Sequence, residues 1–107
     1  MFKCVFYNQG QVYELYARSV GQGALYGFVE IGDIVFGSGD RIVIDPSEER
    51  LRSEFEGVRR FYIPVHAIVR IDEVEHEGPA KIREARAGEA KVTPFPGMAG
   101  PERDSKT

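Results

Sequence analysis

The chain reads as a small, mainly β (α+β) domain. The expected form is a five-stranded bent antiparallel sheet or an SH3/Sm-like barrel, with one short helix before the last strand and a disordered C-terminal tail. Three observations predict it. Short runs alternate apolar and polar side chains, the sign of half-buried strands. Glycine-containing breaks separate those runs, at Gln9-Gly10, at Gly21 and Gly23, and over Gly37-Ser38-Gly39-Asp40. The period lengthens once, to four and three, over Leu51, Phe55 and Val58.

The elements follow in order. Residues 3–8 form a first strand, with Phe2, Cys4 and Phe6 on one face and Lys3, Val5 and Tyr7 on the other. Gln9-Gly10 supplies a tight hairpin turn, because glycine tolerates positive φ. Residues 11–18 return, with Tyr13, Leu15 and Ala17 inward and Val12, Glu14, Tyr16 and Arg18 outward. Residues 25–36 form a third strand, bulged or bent where Gly32 interrupts it. Residues 41–44 make a short fourth strand. Asp45-Pro46-Ser47-Glu48 then starts a helix, with Asp as N-cap and Pro at the first helical position, and Gly57 ends it. Its residues Glu48, Glu49, Arg50, Arg52, Glu54 and Glu56 read as a solvated face. Residues 61–74, FYIPVHAIVRIDEV, make the fifth strand. There Ile63, Val65, Ala67, Val69 and Ile71 form an apolar row, opposite Tyr62, Pro64, His66, Ile68, Arg70 and Asp72.

A length of 107 residues suits one domain, assigned to residues 1–77, with 78–107 as a flexible tail. Within that tail, residues 80–90 have the composition of a transient helix. Val92-Thr93-Pro94-Phe95-Pro96 reads either as a frayed end or as a short motif for a partner's groove. No apolar run reaches the roughly 18 residues of a membrane span, and the start lacks a signal-peptide pattern. The single Cys4 lies on an inward face, as a small hydrophobe. These features point to the cytoplasm, away from any membrane. Residues 1–77 hold eight Lys/Arg against thirteen Asp/Glu, and residues 78–107 hold six against four. An acidic body works against broad phosphate binding, which needs a positive surface.

No motif fixes a reaction. One Cys and two His, without paired spacing, do not make a zinc set. The glycines match no phosphate loop, and no cofactor is implied. His66 lacks a nucleophile and an orienting carboxylate, because Asp72 stands about 20 Å along an extended strand. The functional expectation is therefore a non-enzymatic binding or regulatory module. Its contact residues would be Tyr16, Arg18, Tyr62, His66 and Arg70, which alternation places with Tyr7 on one outward side of the sheet. Aromatic and Arg side chains are favoured at protein interfaces, including self-association. The same types stack on bases and pair with phosphate, so an RNA-binding Sm-like or SH3-like module is the alternative.

Four segments, NQGQVYELYAR (8–18), LYGFVEIGDIVFG (25–37), DPSEERLRSEFEGVRRFYIPVHAIVRIDEVE (45–75) and VTPFP (92–96), resemble a family of short proteobacterial proteins sharing a domain of unknown function. The resemblance implies a bacterial cytosolic protein and brings no catalytic residues with it.

Overall fold

The computed structural model describes residues 1–36 and 46–86. In chain order they form β1 (Phe2–Asn8), β2 (Gln11–Gly21), β3 (Phe28–Val35), α1 (Pro46–Glu54), β4 (Arg60–Pro64), a 3-10 turn (Val65–Ala67), β5 (Ile68–Glu73) and β6 (Lys81–Arg83). All six strands belong to one antiparallel sheet of order β4-β3-β2-β1-β5, with β6 paired to β2 beside this path. The sheet is mainly β structure and is not closed. The expected fourth strand at 41–44 and the N-cap Asp45 lie outside the described residues.

Local chemistry explains the joints. Gln9 and Gly10 have φ of 53° and 81°, the two positive values of a primed hairpin turn, and they set the register Asn8↔Gln11 through Phe2↔Ala17. Gly57, at φ 81°, follows the last turn of α1. The bend foreseen at Gly32 is present. A side chain there would meet Ser19 Oγ at 3.0 Å, and the next residue, Asp33, takes φ 56°. Across this point β3 changes the side it turns to the core, since Ile31 and Ile34 both pack inward despite being three apart. Its partner β2 does the same between Ala17 and Val20.

That double switch folds the sheet over itself. Strands β1 and β4 are separated by β2 and β3, about 14 Å at the usual strand spacing. Yet the ring of Phe6 on β1 lies 5.8 Å from that of Phe61 on β4. Phe6 also meets Tyr13 at 5.5 Å, and Phe61 meets Phe55 of the helix region at 4.7 Å. Four rings thus run from β2 through β1 and β4 to the end of α1. Around them Cys4, Leu15, Ala17, Ile31 and Leu51 are fully buried. Burial pushes the Cys4 thiol up to about 11, so it is protonated and unreactive at neutral pH.

The structure corrects three expectations. Residues 61–74 are not one strand. The 3-10 turn breaks them into β4, which pairs with β3, and β5, which pairs with β1. Val65 is consequently 57% exposed, while Ile68, assigned to the outer row, packs on the core. The side chains of α1 are not all solvated on the charged face: Glu48 is buried with Leu51, and Tyr13 Oη donates to Glu54 Oε1 at 3.2 Å. Finally, residues 81–83, expected within a tail and possibly helical, add a strand to β2, and Ala80 before them is fully buried.

Candidate functional site

The five residues singled out from the sequence do not share one surface. Tyr16 lies opposite Lys3 and Arg70 opposite Val5, on the side of the β5-β1-β2 sheet that faces away from the core. Arg18 is exposed at the bend of β2. Tyr62 lies opposite Glu30 on the outer side of the β3–β4 pair, and His66 is exposed in the 3-10 turn. The alternation that grouped them fails at the Gly32–Asp33 bend and again at residues 65–67.

The first of these surfaces is largely closed by the chain itself. The segment leading into β6 crosses it, so that a side chain at Gly78 would meet Tyr16 Oη at 2.7 Å. Burial, and then the Glu14 carboxylate, raise the Tyr16 phenol above its ordinary value. Val12 is fully buried on this side and Glu14 is only 6% exposed. A buried carboxylate needs compensation, and three cations supply it. Arg83 Nε donates to Glu14 Oε2, while Lys3 Nζ and Lys81 Nζ stand 3.8 and 4.0 Å from Oε1. Arg70 Nε donates to Asp72 Oδ1 at 2.9 Å. The cations of this face are therefore committed to the protein's own carboxylates. On the other half of the sheet Arg60 Nη1 does the same with Glu30 Oε2, at 2.8 Å.

An apolar shelf, missed by sequence reasoning, stands where the β2–β3 loop meets the end of β4. Tyr26 is wholly exposed, and Leu25, Phe28 and Val65 are exposed at 46%, 38% and 57%. They line a concavity of about 570 Å³ together with Gln22 and the small residues Gly23, Ala24 and Gly27. The backbone fixes its shape. Phe28 N–H donates to Leu25 O at 3.2 Å, closing the loop, and Val65 N–H donates to Gly27 O at 2.9 Å, tying the 3-10 turn to it. Gly23 takes φ 64°, and a side chain there would collide with Glu30 Oε1. The register Phe28↔Pro64 and Glu30↔Tyr62 continues the shelf to Tyr62, which is 37% exposed. The signal available beforehand was the four-residue spacing of Gly23 and Gly27, which marks a tight loop with Leu25 and Tyr26 at its tip.

Among the described residues no group of three or more His, Cys, Asp or Glu side chains could hold a metal ion. No helix among them is long and apolar enough to cross a membrane.

Taken together, these features define a small, open, strongly bent β domain with one helix and an exposed apolar shelf. The family model for a domain of unknown function, DUF1820, matches residues 1–97, and the chain belongs to that family. No curated protein and no solved structure matches it significantly.

Proposed function

We propose that this protein is a non-enzymatic, cytosolic bacterial module that binds another protein chain through the shelf formed by Leu25, Tyr26, Phe28 and Val65, with Tyr62 and His66 beside it. The observation that carries this reading is the contiguous exposure of large apolar side chains held by a hydrogen-bonded loop. Solvent-exposed aromatic and aliphatic groups in one concave patch are what protein recognition uses. The commitment of Arg60, Arg70, Lys3, Lys81 and Arg83 to carboxylates favours a protein over a nucleic acid, whose phosphates need available positive charge. The strand order β4-β3-β2-β1-β5, with a 3-10 turn between β4 and β5, supports reading the body as SH3-like. A single buried thiol suits the cytosol.

The test is affinity capture of the tagged protein from native lysate, with and without RNase. Val65→Asp and Tyr26→Ala alter exposed side chains, so folding should change by no more than about 0.5 kcal/mol. Each is expected to lower recovery of an RNase-resistant protein partner about tenfold or more. Arg70→Ala should leave it unchanged. Recovery that depends on RNA, or on Arg70 and not on the shelf, would overturn the reading.

A further inference from the structure

We infer that the occupant of this concavity is residues 92–96 of a second copy of the same chain, so that two copies exchange their C-terminal segments. The inference rests on the protein-binding reading of the shelf and gives it a partner.

Chemistry matches first. Residues 92–96, which lie outside the described residues, read Val-Thr-Pro-Phe-Pro, with two prolines flanking one aromatic ring. Such segments lose little conformational entropy on binding, because proline already holds φ near its bound value, and they dock on aromatic-lined surfaces. The concavity offers the rings of Tyr26 and Phe28 to the prolines and the aliphatic side chains of Leu25 and Val65 to Phe95. Gln22, in the same lining, supplies an amide for a backbone carbonyl. The small lining residues Gly23, Ala24 and Gly27 let a backbone approach closely.

Family coverage agrees. The match to the family model runs through residues 92–96 and ends at residue 97, so this segment belongs to the shared domain while the last ten residues do not.

Chain direction selects the second copy over the first. Strand β6 runs antiparallel to β2, with Lys81 opposite Glu14 and Arg83 opposite Val12. The chain therefore leaves β6 heading toward the Gln9-Gly10 turn, whereas the concavity lies past the other end of β2, at Gln22. To fill its own concavity the chain would have to reverse direction after β6 and run back along the length of β2. A neighbouring copy carries no such restriction.

The experiment is sedimentation equilibrium of the full-length protein over about 1 to 300 μM, with Val65→Asp and Phe95→Ala as variants and their equimolar mixture. The expected result is a wild-type dimer whose dissociation constant rises at least tenfold in either variant. The mixture should associate more tightly than either variant alone, since Phe95→Ala retains an intact concavity and Val65→Asp an intact segment. A wild-type protein that stays monomeric at 300 μM overturns the exchange. So does a dimer weakened by Val65→Asp and indifferent to Phe95→Ala, which would leave the shelf as a protein-binding surface with another occupant. A dimer indifferent to both variants overturns the exchange and puts the self-contact on another surface, while the shelf reading stands or falls by its own capture test. Circular dichroism of each variant confirms that the body remains folded.

Discussion

Phe6→Ala is expected to lower the free energy of unfolding by about 3–5 kcal/mol, the usual cost of removing a large aromatic side chain from a close-packed interior. Phe6 is fully buried and central to the ring chain, in contact with Tyr13 on one side and Phe61 on the other. It is the side chain that joins β1 to β4 across the fold of the sheet. Its loss removes transfer free energy and leaves a cavity that neither neighbour can fill without opening the sheet. A domain of this size has only about 5–15 kcal/mol in total, so the variant should melt at least about 12 °C lower. Urea denaturation followed by tyrosine fluorescence measures it. A loss below about 1 kcal/mol would mean that the two halves of the sheet do not pack through this ring.

Glu14→Gln is expected to loosen β6 while leaving the rest of the sheet paired. The carboxylate is the common partner of Lys3, Lys81 and Arg83, and two of those three lie on β6. Breaking a buried ion pair from one side is costly because the partner charge stays behind. Here Lys3 and Lys81 are 35% and 45% exposed and keep much of their hydration, so most of the effect passes through Arg83, exposed at only 18%. An opening cost lowered by about 1.4–2.8 kcal/mol would speed tryptic cleavage after Lys81 and Arg83 about 10- to 100-fold. Hydrogen exchange should accelerate at residues 12–14 and 81–83 and remain slow where β1 pairs with β5. Unchanged cleavage would show that the backbone ladder and Ala80 hold β6 without help from charge.

Much of this architecture can be read from local chemistry, and its failures have physical causes. The Gln9-Gly10 turn, the helix start at Pro46 and the bend at Gly32 were each marked by residues with few conformational alternatives. The break at Val65–Ala67 was hidden because Ile63, Val65 and Ala67 continue the alternation of β4 without a fault. Only Pro64 hinted at it, since proline lacks the N–H that an inner strand position uses. Strand β6 left no signal of its own. It is three residues long, and its anchor is a glutamate on β2 that alternation assigns to solvent. The candidate surface went astray for the same reasons. Alternation carries each face through two points where the chain changes side, and so groups Tyr62 with Tyr16 and Arg70, although it borders Phe28 and Pro64. The same alternation extends the third strand back over Leu25 and Tyr26, although that strand begins only at Phe28.

The central claim is that the β2–β3 shelf, and not the charged face of β1, β2 and β5, is where this protein meets its partner. Site-specific photocrosslinking in intact cells tests it most directly, with p-benzoylphenylalanine in place of Tyr26 in one strain and in place of Arg70 in another. A protein-binding shelf predicts an adduct at position 26 that resists nuclease and is destroyed by protease, with little at position 70. An adduct formed only at position 70, or one at position 26 that nuclease removes, would contradict it.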